Sequence, residues 1–298
     1  MRAARRSRWS SGDTPSGPAG PSCACDEGCR DERARRTARS RHDLGIVEAI
    51  VSGPGEGEPL REKERTILVK AVQPQLDVLE FTITDAGYEG PGPHYHERHV
   101  DSFFVLEGEL EFPAVGATVV AGPGTYVFAP PGTVHAFTNR TPARFLNIHA
   151  PETGFVEYMR AVDRGDAVDP ADYDVHEVGD DEERADAIVS RPGVDLIERR
   201  YGTVEIRAET PQLSVMVMDI VRDWDGVAPH VHDDHLDSFY VLEGEIDFLL
   251  DGERRHGAAG TLVAFPPGVE HGVAPPTGTV RLLNVHAPDA GFAASLRR

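Results

Sequence analysis

The stretch His94–Glu109 reads HYHERHVDSFFVLEGE, and 136 residues later His230–Glu245 reads HVHDDHLDSFYVLEGE. The correspondence continues on both sides. AIVSGPG (Ala49–Gly55) answers AIVSRPG (Ala187–Gly193), and APPGTVH ending at His135 answers FPPGVEH ending at His271. RFLNIHAP (Arg144–Pro151) answers RLLNVHAP (Arg281–Pro288). A repeat of this length, with single-residue drift in its offset, implies two domains of one fold. They are expected at 43–152 and 185–298, joined by an acidic linker over 153–184. Within that linker Phe155, Tyr158 and Met159 fall at i, i+3, i+4 and suggest one short helix. In each copy the segments between Gly and Pro punctuation are short and rich in β-branched and aromatic residues, as in Leu76–Thr84. An all-β sandwich or barrel follows.

The histidines carry the chemistry. Ten of the thirteen form matched pairs, 94/230, 96/232, 99/235, 135/271 and 149/286. His-x-His on a strand puts both imidazoles on one face, because side chains alternate with period two. His135 and His271, each 39 residues beyond the second histidine of that pair, would come from a neighbouring strand. Three imidazoles with a carboxylate, Asp101 or Asp237, suit Fe, Mn, Ni, Zn or Cu and not calcium or magnesium. The predicted metal ligands are therefore His94, His96, Asp101 and His135 in one copy and His230, His232, Asp237 and His271 in the other. His99 and His235 read as pocket lining or as alternative ligands. His149 and His286, with Asn147 and Asn284, read equally as interior residues or as an outward edge. Glu107 and Glu243 read as turn residues.

This pattern resembles the cupin superfamily, in its two-domain bicupin form, with quercetinase-like dioxygenases among the relatives. His94, His96, Asp101 and Gly108 fall on the family's first motif, and Gly124, Pro130, Gly132, His135 and Asn139 on its second. His230, His232, Asp237 and Gly244, then Gly260, Pro266, Gly268 and His271, do so in the second copy. Pro275 stands where the motif has asparagine, the leading glycine of the first motif is out of place in both copies, and an aspartate replaces the usual glutamate in both; being one methylene shorter, its carboxylate reads either as a ligand or as a group held just behind the ligands. The resemblance implies two tandem jelly-roll (double-stranded β-helix) barrels with one divalent transition metal each. It also implies a metal-dependent dioxygenase acting on a small hydroxylated aromatic molecule, with Asp101 and Asp237 as catalytic carboxylates. A metal-dependent isomerase or decarboxylase, or a non-catalytic small-molecule-binding protein, is the alternative. Phe103, Phe239, Tyr126 and Phe128 are expected to wall the pocket.

Charge narrows the partners. The net charge is -20, and residues 1–41 carry ten arginines against five acids, about +5, which leaves about -25 on the rest. Nucleic acid and anionic membranes select basic surfaces, so a small-molecule partner is expected and those two are not; a homo-oligomer is compatible with the sequence. No apolar stretch is long enough to span a bilayer, and no apolar core follows Arg5-Arg6, so a cytoplasmic protein is expected. Residues 1–42 hold all three cysteines (Cys23, Cys25, Cys29) and lack hydrophobic periodicity, the composition of a disordered segment. A chain beginning at Asp43 should therefore match the full protein's thermal midpoint in a melting experiment. A lowered midpoint would show that the head docks on the body.

Overall fold

A computed structural model describes residues 48–62, 65–88, 90–114, 117–178, 187–221 and 223–298. Residues 1–42, with their cysteines and the Arg5-Arg6 pair, lie outside the described residues, as does His42. The architecture is almost entirely β. Among the described residues two short α-helices, Phe155–Arg164 and Phe292–Leu296, follow corresponding strands of the two repeats. No helix among the described residues is long and apolar enough to cross a membrane.

Each barrel has a seven-stranded antiparallel sheet, six strands from its own repeat and one from the other, facing a smaller sheet. The first large sheet runs Ile188–Ser190, Tyr126–Ala129, Val100–Glu107, Ala143–Ala150, Leu76–Ile83, Arg65–Gln73, Glu58–Glu62. The second runs Ile50–Ser52, Leu262–Phe265, Leu236–Glu243, Val280–Ala287, Leu213–Ile220, Gly202–Thr210, Leu196–Arg199. In the first barrel Leu110 and Phe112 of the small sheet pack with Phe81, Phe103 and Phe145 of the large one, and this is the barrel interior. In the second, Ile246 and Phe248 pack with Met216, Phe239 and Phe265.

Neither large sheet has a wet face at its centre. Along Val100–Glu107, Phe103 and Val105 point into the barrel while Val100 and Phe104 point out, into a core shared by the two barrels. That shared core sets Val78, Phe104, Leu146 and Ile148 against Val215, Val217, Tyr240 and Leu283. A strand buried on both faces needs a continuous apolar run in place of alternation, which is why SFFVL and SFYVL read as they do. Tyr126 and Phe128 belong to this shared core, so they do not wall the pocket as expected; period-two alternation gives the interior face to Val127.

The sheets also exchange strands. Ile50–Ser52, the first described strand of repeat one, pairs with Leu262–Ala264 of the second barrel. Ile188–Ser190, the equivalent strand of repeat two, pairs with Tyr126–Phe128 of the first. Lys70 is buried beneath this exchange, donating to the carbonyls of Gly53 (2.7 Å) and Gly260 (3.0 Å). Tyr240 of the second barrel donates to Glu80 of the first at 3.0 Å. The turn after each VLEG segment is equally constrained. Gly108 and Gly244 have φ of 75° and 79°, and a Cβ there would lie 2.0 Å from the Pro142 oxygen and 2.4 Å from the Thr279 oxygen. Glu107 beside that turn is exposed and pairs with Arg144 at 2.7 Å, a structural role.

One buried group works against the fold. Asp77 is fully buried, and burial, reinforced by Glu152, outweighs Arg160 and the Gln73 backbone and raises its pKa to about 8. The folded state then holds a proton that the unfolded chain releases near pH 4, so the stability this proton protects is complete below about pH 4 and is lost as pH rises through about 8. The stability gained by Asp77→Asn should accordingly grow between pH 4 and pH 8 in melting curves; a difference independent of pH would refute the raised pKa.

Shared packing and exchanged strands make the barrels one folding unit. Calorimetry should show a single cooperative transition, and Phe104→Ala should destabilise it by about 3–5 kcal/mol without splitting it. Two resolved transitions in the native chain would show that the barrels stand alone.

Candidate metal centres

In the first barrel His94, His96, Asp101 and His135 bring one ligand atom each to a common point, all within 4.8 Å of one another, and all four residues are buried. His94 lies on the two-residue strand His94–Tyr95, and Tyr95 turns away between His94 and His96. His135 arrives on a neighbouring extended segment, its backbone bonded to His94 in both directions (3.0 and 2.8 Å). Asp101 lies near the start of Val100–Glu107, opposite Ala129 and His149.

Each of the three rings is oriented by a carbonyl that can only accept. Nδ1 of His94 donates to Gly92 O (2.8 Å), that of His135 to Thr133 O (2.9 Å), and that of His96 to Asp174 O (2.6 Å). In a neutral ring this leaves Nε2 as a bare lone pair facing the centre. His96 Nε2 is buried without a hydrogen-bond partner. Asp101 Oδ2 stands 3.0 Å from His135 Nε2 and 3.6 Å from His96 Nε2. Lone pairs that close repel unless a cation lies between them, and donors sharing an ion at about 2.0–2.2 Å stand about 3 Å apart. The donor set thus fits a divalent transition metal. Burial, with His135 and His96 nearby, lowers His94 to about 3, so it is neutral as a ligand must be. Burial opposes ionisation of Asp101, but His149, His135 and His96 outweigh it and hold the carboxyl well below the usual range.

Behind the ligands runs a chain of hydrogen bonds. Asn147 Nδ2 donates to Asp101 Oδ1 at 2.6 Å, and His149 Nε2 donates to Asn147 Oδ1 at 2.9 Å. His149 Nδ1 meets His99 Nε2 at 2.9 Å, and His99 Nδ1 lies 2.8 Å from Asp174 Oδ2 and 2.7 Å from the Thr153 hydroxyl. His149 and Asn147 are therefore interior, which resolves the two readings of that strand, and His99 has both nitrogens engaged away from the ligand cluster. All contacts along the two rings are hydrogen bonds only when the pair carries three protons. Burial and His96 lower His99 to about 4, so at neutral pH the rings hold two, and Thr153 can donate to His99 Nδ1. Phe155 stacks on His149 at 3.9 Å.

The second barrel repeats the arrangement more loosely. His230, His232, Asp237 and His271 again cluster within 4.8 Å. Nδ1 of His230 and of His271 donate to Ala228 O and Val269 O (3.0 and 2.9 Å), Asn284 donates to Asp237 Oδ1 at 2.6 Å, and Phe292 stacks on His286 at 4.7 Å. His271 Nε2 is buried without a partner. The Asp237 Oδ2 distances are longer, 3.5 Å to His271 and 4.0 Å to His232. The His232 side chain is 24% exposed, against 1% for His96. His235 bonds the exposed neighbour Asp234.

The first centre opens onto an apolar-walled cavity of about 240 Å³. Its walls include Phe81, Phe103, Phe137 and Phe155, with His94 and Asp101 exposed to it and Arg65 and Glu177 as further charged groups. The Arg65 guanidinium lies over the rings of Phe81 (5.7 Å) and Tyr88 (5.3 Å). Asn139 of the second motif holds this wall, accepting from Tyr88 N at 2.7 Å and donating to Asp85 O at 2.7 Å. Helix Phe155–Arg164 contributes Phe155, Tyr158, Met159 and Val162, so the linker's apolar face is part of the cavity. Arg65 and Asp174 went unnoticed in the sequence. Arg65 stands in an ordinary strand, and Asp174 is one of many linker aspartates.

The cupin domain family matches residues 81–149 and 216–286. A quercetin 2,3-dioxygenase of Bacillus subtilis (strain 168) is 29% identical over 85 residues, 28% of this chain; the match spans 25% of that relative's length. Among solved structures, Ylba of E. coli superposes with a TM-score of 0.58 at 12% identity, covering 84% of this chain and 98% of that one. The oxalate decarboxylase of Bacillus subtilis, a protein with Mn(II) centres, gives 0.55 at 14% identity, covering 91% and 86%. At such identities the solved structures speak for the fold. With a cupin domain matched in each repeat and two antiparallel barrels each gathering three histidines and an aspartate, the chain belongs to the cupin superfamily as a two-domain bicupin.

Proposed function

We propose that this protein is a metal-dependent dioxygenase for a small hydroxylated aromatic compound, with the reaction in the first barrel and one divalent transition metal (Fe, Mn, Ni, Zn or Cu) in each. The observation that carries the reading is the aromatic-walled cavity opening onto His94 and Asp101. The quercetin dioxygenase relative supports it over the stretch it covers. His94, His96, Asp101 and His135 would hold the first ion, and His230, His232, Asp237 and His271 the second. When bound, a redox-active ion would acidify a substrate hydroxyl and support reaction with oxygen. The protein's own contribution is positional. Phe81, Phe103 and Phe137 accept a flat ring and exclude water, and Asp101, ionised at ordinary pH, is the anionic acceptor nearest an incoming hydroxyl. Asp237 would play the equivalent part in the second barrel.

A second reading, a metal-dependent decarboxylase or isomerase, draws on Arg65, whose guanidinium in the cavity wall complements a carboxylate. Oxygen separates the two. Metal analysis by mass spectrometry should find two ions per chain, one after His271→Ala, and none after His135→Ala is added. Oxygen-electrode screening of phenols should find uptake that survives His271→Ala and falls at least about 100-fold in His135→Ala. Turnover of a carboxylate substrate under nitrogen would favour the second reading, and a metal-free, inactive native protein would leave only a binding role.

A further inference from the structure

We propose that Asp174, a linker residue outside both repeats, is the positioning residue of the first metal centre. The inference rests on the reading that this centre binds a metal. Asp174 has 1% side-chain exposure and touches every residue from His96 to His99, with Arg98 Nε (3.5 Å) and His176 Nε2 (3.4 Å) also beside its Oδ1. Its carboxylate accepts from the backbone N–H of Glu97 (2.9 Å), from that of Arg98 (3.0 Å) and, at 2.8 Å, faces His99 Nδ1. Its backbone carbonyl accepts from His96 Nδ1 at 2.6 Å, the shortest of the three carbonyl contacts that orient the ligand rings.

These contacts lock reciprocally. The side chain fixes the loop Glu97–His99 to residue 174, and the carbonyl of the same residue then sets the tautomer and rotation of His96 at the head of that loop. Residue 174 has φ 62°, which turns its carbonyl and side chain to the same loop, and aspartate tolerates that left-handed conformation better than most residues. The approach is braced on both sides. The short 3-10 turn Pro170–Tyr173, capped by Asp169 through Ala171 N (3.0 Å), leads in, and His176–Glu177 pairs with His94–Tyr95 beyond.

Repetition cannot supply this device, because Asp174 lies between the copies. Among the described residues no counterpart reaches His232, and that ring is the more exposed of the pair. Ligands oriented by an outer hydrogen bond typically lose about 10–100-fold in metal affinity when it is removed. The first centre should therefore be the tighter of the two, and the difference should depend on residue 174.

Asp174→Asn is the discriminating change, since asparagine keeps the left-handed backbone and the carbonyl but replaces one of the two carboxylate oxygens, which accept separately from Glu97 N and Arg98 N, with an amide nitrogen that can only donate. Co(II), titrated into metal-free protein carrying His271→Ala, reads the first centre alone through its d–d absorption. The expected result is a 10–100-fold weaker Co(II) affinity with altered bands at saturation, while Asp169→Ala, which removes only the cap of the preceding turn, leaves both unchanged. In a His135→Ala background, Asp174→Asn should leave Co(II) binding at the second centre as it was. Unchanged affinity and spectrum in Asp174→Asn would overturn the proposal, as would equal losses from Asp169→Ala or parallel losses at both centres. A parent chain that binds no Co(II) at the first centre would instead overturn the metal reading itself, and this inference with it.

Discussion

Burial of the large sheets on both faces is the constraint on which everything else in this molecule depends. One face of each closes its own barrel; the other meets its counterpart in the shared core. Because both faces are dry at the centre, the central strands must be apolar nearly throughout, and the polar side chains left inside need partners there. Asp101, Asn147 and His149 are that exception in the first barrel, on the inner face of adjacent strands in register: Asn147 opposite Phe103, His149 opposite Asp101.

That setting produces the electrostatics of the centre. An aspartate in such a place would ordinarily be pushed towards protonation, as Asp77 is. Asp101 escapes because His149, close to Oδ1, and His135 and His96, facing Oδ2, outweigh its burial. Burial keeps His94 neutral, and carbonyls orient all three ligand rings with Nε2 towards the carboxylate, so the donor atoms converge on one point. The same chemistry that makes the arrangement costly when empty makes it a strong site for a cation.

The two copies have diverged in what surrounds this shared device. Around the first, linker helix Phe155–Arg164 and residues Asp174–Glu177 close the barrel mouth, Asn139 ties down the Tyr88 loop, and an apolar cavity results. Around the second, Pro275 stands in place of that asparagine, Gly202 occupies the strand position equivalent to Arg65, and His232 is partly exposed. The fold is duplicated; the surroundings of the two centres are not.

The fold class, the repeat and the clustering of His94, His96, Asp101 and His135 were legible in the sequence because each is encoded locally: alternation within a strand, glycine at a turn, histidines at fixed spacing. The role of Asp174, the outward orientation of Tyr126 and Phe128, and the exchange of Ile50–Ser52 and Ile188–Ser190 between sheets were not. Each depends on a partner brought near only by folding, some 75 residues away in one case and in the other barrel in the rest. Local pattern specified which residues can make a strand or offer a lone pair. Which face of a doubly buried sheet looks inward, and whose edge a strand completes, was decided by the packing of one barrel on the other, since an apolar run satisfies either face equally well.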